Sequence, residues 1–173
     1  MDITVAEGDI MKFAGSAVVI PVKPKGDNDD HLNRALREVA GSYYHDKLTL
    51  CRAVMPSRCR AIHLVHKPEL DLPVGDVIFV IDDLAQPLRK TVATALKEAE
   101  EQHLGMLRLP LLRTGEQAGL REEPTGTAAF ETVVALREFT HYSRPRLLRD
   151  VTCVVNDAET AQQLEQLLAL SAP

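Results

Sequence analysis

Cysteine is scarce in this chain, and what there is forms no pattern. Cys51, Cys59 and Cys153 make no CxxC and leave an odd one over, which fits a reducing cytoplasm better than a disulfide framework. No apolar stretch approaches the ~20 residues a membrane-spanning helix needs. The opening "MDITVAEGDI" carries neither a basic segment nor an apolar one, so it does not read as a secretory signal. Positive charge is short as well. Lys and Arg number 20 against 25 Asp and Glu, a formal net charge of −5, whereas a nonspecific nucleic-acid binder presents a basic face. The basic run "RPRLLR", residues 144–149, reads as a solvated loop. These absences predict a soluble cytoplasmic protein with neither membrane nor nucleic acid as partner.

Several chemistries are missing too. There is no GxxxxGK[ST] phosphate loop and no GxSxG elbow, and no cysteine is placed beside a histidine at a strand end. His63 and His66, three apart in an expected strand, should point to opposite faces, and without a third ligand nearby they predict no metal site. Cys153 falls mid-strand and reads as core. The acidic run "DNDD", residues 27–30, offers a cation ligand or a general base, but it lacks the ligand spacing of a calcium loop. A solvated turn ending in a helix cap accounts for it without chemistry.

What the chain does have is alternation. Its 173 residues, 45% hydrophobic and 26% charged, suit one domain spanning 1–173. "AVVIPV" (17–22), "CRAIHLVH" (59–66), "DVIFVI" (76–81), "MLRLPLL" (106–112) and "DVTCVVN" (150–156) are apolar runs of strand length. Between them lie helical patterns. Asp30 precedes Leu32, Ala35, Leu36, Val39 and Ala40 on one face up to Gly41; Leu88, Val92, Ala95, Leu96, Ala99 and His103 follow Pro87. A helix from about Thr125 should bury Ala129, Phe130, Val133, Val134 and Leu136, and Asp157 should cap a last helix with Ala161, Leu164, Leu167 and Leu168 inward. Unbroken apolar strands interleaved with amphipathic helices predict a three-layer α/β/α sandwich with a mixed central sheet. Ligands of such folds collect outside the carboxyl ends of the strands, where "VKPKGDNDD" and "RTGEQAG" fall.

The stretch "LPLLRTGEQAGL" (109–120) ends an apolar run in Thr114–Gly115 and reaches Gly119 four residues later. Two glycines at a strand end serve either a loop whose amides face an anion or an ordinary strand-to-helix turn. A wider likeness bears on that choice. "ITVAEGDI" resembles the first strand of the macro domains, with its closing Gly-Asp-Ile. "SAVVIPVKP" stands where that family writes D-A-I-V-N-A-A-N-P, and "CRAIHLVHKP" is similar to its V-I-H-x-V-G-P. "MLRLPLLRTGEQAG" resembles I-A-F-P-A-L-G-T-G-x-x-G, with one extra residue between the glycines. "VTCVVNDAETAQQLEQLL" is similar to its last strand and helix. The five stretches run in order along nearly the whole chain.

The resemblance implies a module that binds ADP-ribose or a related adenine nucleotide. It implies that Thr114, Gly115 and Gly119 cradle the diphosphate, and that Asp9, with the Ile10 backbone beside it, accepts from the adenine amino group. No cofactor is implied, and the ligand's carrier would be an ADP-ribosylated protein. The departures are as specific. The asparagine that contacts the distal ribose and supports hydrolysis aligns with Lys23, and the first asparagine of that motif aligns with Ile20. "KGDNDD" replaces the triple glycine, and the adenine-stacking aromatic aligns with Asn156. Lys23 and Lys25 restore positive charge beside a diphosphate. Three readings follow: a binding module without catalysis, a macro-fold interaction module that has lost its ligand, and a hydrolase of ADP-ribosyl groups in which Asp27, Asp29 or Asp30 activates water. Asp9 and Thr114–Gly115 favour the first over the second, and Lys23 disfavours the third.

Overall fold

A computed structural model describes residues 1–13, 15–25, 28–55, 60–66, 69, 74–114, 124–143 and 145–171. Six strands form one sheet: β1 (Asp2–Glu7), β2 (Gly15–Val22), β3 (Ala61–Leu64), β4 (Val74–Ile81), β5 (Met106–Pro110) and β6 (Asp150–Val155). Their spatial order is β1-β6-β5-β2-β4-β3, with every pairing parallel except the antiparallel β3–β4 edge. Among the described residues five α-helices cover it: α1 (His31–Ala40), α2 (Tyr43–Val54), α3 (Leu88–Glu101), α4 (Thr125–Glu138) and α5 (Ala158–Leu170).

Burial follows position in the sheet. In central β2, Ala17 and Val19 pack toward α3, α4 and α5, while Val18, Ile20 and Val22 pack toward α1 and α2. Both faces are covered, so the strand reads as an unbroken apolar run. Edge strand β1 alternates instead: Ile3 and Val5 pack against the α3–α5 side, and Asp2 and Thr4 are exposed. The result is an α/β/α sandwich around a mixed sheet.

One sequence detail shapes the carboxyl edge of the sheet. Pro21 sits inside a central strand, where a missing N–H normally removes a ladder bond. Here β2 and β5 are registered only at Ala17↔Leu107 and Val18↔Arg108, so the two strands part before Pro21. The Pro21 carbonyl turns instead to the Asn33 side-chain amide, 2.8 Å away.

The helical pattern after Pro87 is α3, which runs Leu88–Glu101 and ends before His103, and the strand expected over 106–112 is β5, which stops at Pro110. Asp30 and Asp157 cap α1 and α5, accepting from the Asn33 and Thr160 amides. Four local expectations need correction. Helix α2 was not expected; Tyr44, His45 and Leu48 are its buried residues, with Cys51 packed partly beneath it. Phe130 is 54% exposed and Val134 half-buried, because α4 turns Ala128, Ala129, Thr132, Val133, Ala135 and Leu136 inward. On α1, Val39 is exposed. The acidic run is not simply solvated: Asn28 and Asp30 are buried, Asp29 is exposed, and Asp27 lies outside the described residues.

Candidate functional site

The parallel strands β1, β6, β5, β2 and β4 all end on the same edge, and a cleft of about 100 Å³ opens there beyond β5 and β6. Its apolar wall is Ile10, Leu32, Pro110, Leu111, Val154 and Val155. Its polar groups are Thr114, Thr125, Asn156, Asp157 and Thr160. Five chain segments therefore converge: the turn after β1, the start of α1, the exit of β5, the exit of β6 with the start of α5, and the start of α4.

The turn after β1 is built by "EGDI". The Gly8 amide donates to the Val155 carbonyl at 2.8 Å, the last bond tying β1 to β6. Gly8 has φ +144°, and a Cβ there would lie 3.0 Å from the Phe13 ring, so the position needs glycine. Asp9 then caps a 3-10 turn, Ile10–Lys12, accepting from the Met11 amide at 3.0 Å. Its other oxygen stands 3.6 Å from the Lys12 ammonium, and the side chain is half-exposed. One oxygen shapes the backbone and the other faces the Lys12 ammonium; Asp9 itself is not among the residues that line the cleft. Ile10, buried beside it, forms cleft wall.

Across the cleft, exposed Asn156 follows β6 directly. Asp157 accepts from the Thr160 amide and hydroxyl, both at 2.8 Å, and these bonds hold its carboxyl below the usual carboxylate range. Thr114 closes the β5 side, its hydroxyl donating to the Leu111 carbonyl at 2.9 Å. Gly115 and Gly119, expected to complete a phosphate cradle with Thr114, lie outside the described residues.

Lys23 does not line this cleft. It follows β2, where its amide donates to Asn28 Oδ1 at 2.8 Å and its carbonyl accepts from the Arg52 guanidinium. Its backbone is thus clamped on both sides. Behind it lies a buried polar chain: Asn33 donates to the Pro21 carbonyl and to Asp30 Oδ2, and its Oδ1 meets His45 Nε2 at 2.9 Å. Both amide hydrogens of Asn33 are spent, so the imidazole must donate through Nε2, and its Nδ1 stays unprotonated. Burial pushes the His45 pKa down to about 4.

Asp76 is held from two sides, by the His63 side chain through Nε2 at 2.7 Å and by the backbone amide of His66 at 2.7 Å; the latter contact does not bring the two imidazoles to one face. β3 ends at Leu64, so strand alternation no longer governs His66. Among the described residues no three His, Cys, Asp or Glu side chains gather to hold a metal. No described helix is long and apolar enough to cross a membrane. Cys153 is fully buried, its thiol pushed up to about 12 by burial.

The sequence reading did not anticipate Leu32, Pro110, Thr125, Asp157 or Thr160 as cleft residues. Asp157 and Thr160 were legible as helix cap and first turn; only the placement of β6 beside β5 brings them to the site. Nor did it anticipate the ion pair of Asp82 and Arg113, which closes the neighbouring edge with Nε and Nη2 each 2.7 Å from a carboxylate oxygen.

The sequence matches no protein-family model and no curated protein. Solved structures do match. The macro domain of ganglioside induced differentiation associated protein 2 superposes with a TM-score of 0.76 at 16% identity, covering 96% of this chain and 83% of that one. The Oceanobacillus iheyensis macrodomain with ADP gives 0.75 at 16%, covering 96% and 89%. The Trypanosoma brucei macrodomain in complex with ADP gives 0.76 at 16%, covering 96% and 68%. At such identities the likeness defines the architecture: this chain has the macrodomain fold.

Proposed function

We propose that this chain binds ADP-ribose or a related adenine nucleotide in the cleft beyond β5 and β6, without catalysing its hydrolysis. The observation that carries the reading is the convergence there of Ile10, Thr114 and Asn156, with Asp9 beside Ile10, on the carboxyl edge of a macrodomain-fold sheet. Sheets of this kind take ligands at that edge, where strand exits supply loops and backbone amides. The Oceanobacillus iheyensis and Trypanosoma brucei macrodomains, solved with ADP, supply a precedent for the ligand class.

In this reading the Asp9 oxygen not used by the Met11 amide accepts from the adenine amino group, and the Ile10–Val155 wall takes the base. Thr114 begins the phosphate loop, which continues through Gly115 and Gly119. Asn156 offers an amide edge rather than an aromatic face, so the base is held by hydrogen bonds and apolar contact without stacking. Lys23 at the β2 exit adds positive charge toward the diphosphate. The carrier of the ligand would be an ADP-ribosylated protein. Calorimetric titration with ADP-ribose, with AMP and NAD as comparators, tests the reading. Saturable binding of ADP-ribose is the expected result, and no heat with any of the three would refute it.

A further inference from the structure

Arg113 occupies a backbone conformation that side chains avoid. Its φ is +60°, in the left-handed region, at the position where the resembling motif has the first glycine of G-T-G. The side chain that tolerates this strain is fully engaged. Its Nε donates to Asp82 Oδ2 and its Nη2 to Asp82 Oδ1, each at 2.7 Å, and Nη2 also donates to the Gln86 carbonyl at 2.9 Å. The two side chains are 4% and 2% exposed.

Asp82 is itself fixed. Its amide donates to the Val22 carbonyl at 2.9 Å, and its Oδ1 accepts from the Leu84 amide at 3.1 Å. The exits of β2, β4 and β5 are therefore tied into one rim through a single residue, Asp82, its amide holding β2 and its carboxylate holding Arg113. Arg113 points away from the nucleotide cleft, into the floor of a second hollow near Pro87 and Arg89, while its neighbour Thr114 lines the cleft.

Buried ion pairs are poor stabilisers, because desolvating both charges offsets most of their attraction. What a forked guanidinium–carboxylate pair does supply is direction, since both groups are planar and meet in one geometry. We propose that Arg113 is a positioning residue for the cleft: its fork onto Asp82 sets the direction in which the chain leaves β5, and so where Thr114 presents its amide and side chain. The inference rests on the nucleotide reading above and assigns the ion pair to the phosphate end of the ligand. An anchor of this kind alters affinity for the diphosphate while leaving the nucleoside end unchanged.

The test compares wild type with Arg113→Lys, which keeps the charge but loses the fork, and with the double variant Asp82→Asn/Arg113→Gly, which leaves no buried charge unpaired and relieves the backbone. Each protein is titrated with ADP-ribose and with adenosine, and amide hydrogen exchange at Thr114 is followed by NMR without ligand. Both variants should lose at least about tenfold in affinity for ADP-ribose relative to adenosine, and Thr114 should exchange at least about tenfold faster. An unchanged affinity ratio, or unchanged exchange at Thr114, would overturn the proposal. If wild type binds neither ligand, the nucleotide reading fails separately, and the exchange result alone decides whether the pair positions Thr114.

Discussion

Lowering the pH from about 7.5 to about 5 should cost this fold about 2 kcal/mol through one imidazole. The group is His45, on α2, packed edge-on against Phe79 with ring centroids 5.6 Å apart. Its Nε2 hydrogen is committed to Asn33, and its buried Nδ1 has no partner among the described residues. Protonation would place an unsatisfied donor and a charge in that position, with Arg37 and Arg52 opposing it and only Asp46 favouring it. The folded pKa is therefore depressed, to about 4 against 6.5 for an exposed histidine. Because the unfolded chain binds the proton more tightly, the contribution is fully present above about pH 6.5. It falls away as pH drops toward 4 and is constant below. The full separation is worth about 3 kcal/mol, of which about 2 are lost by pH 5. Urea unfolding of wild type and His45→Gln across this range isolates the term, since glutamine keeps a donor toward Asn33 but cannot titrate. Parallel losses of stability in the two proteins would refute the argument.

Other positions give sharp expectations. Asp9→Asn keeps an oxygen for the Met11 amide, so stability should hold while ADP-ribose binding weakens by about 1–3 kcal/mol in titration; an inosine analogue, lacking the amino donor, should then bind wild type and variant alike. Gly8→Ala should cost about 1–2 kcal/mol in chemical unfolding, because φ +144° and the Phe13 ring both oppose a Cβ. Glu100 accepts from the Arg146, Leu147 and Leu148 amides, and those bonds outweigh the opposing effect of burial and hold its carboxyl below the usual range. Glu100→Gln should therefore lower stability by about 1 kcal/mol at neutral pH, and the difference should vanish as wild-type Glu100 protonates in acid.

The parts of the fold written in local sequence were legible. β2 and β4 are apolar runs because both their faces are covered, and Asp30 and Asp157 announce α1 and α5 because a cap acts within three residues. α2 escaped because "YYHDKLTLCRAV" mixes aromatic, Thr and Cys residues over an indistinct stripe, and its burial is settled by packing on β3 and β4. Phe130 was misplaced because α4 carries apolar residues on several sides, and the sheet selects the small ones, Ala128, Ala129 and Ala135.

The site divides in the same way. Ile10, Thr114 and Asn156 were legible as strand-end residues, and strand ends meet at one edge once the sheet is parallel. The Asp82–Arg113 pair joins residues 31 apart in sequence, and nothing near either one announces the other. Only the crossing of α3 between β4 and β5 brings their exits together.

The central claim is that this cleft, and no other face, receives the nucleotide. An NMR titration of uniformly labelled protein with ADP-ribose tests it residue by residue. Amides of Asp9, Ile10, Thr114 and residues 154–160 should shift saturably and together, and those of His63 and Asp76, at the opposite end of the sheet, should stay in place. Shifts confined to the far end, or none at any concentration that saturates an ordinary nucleotide site, would contradict the account.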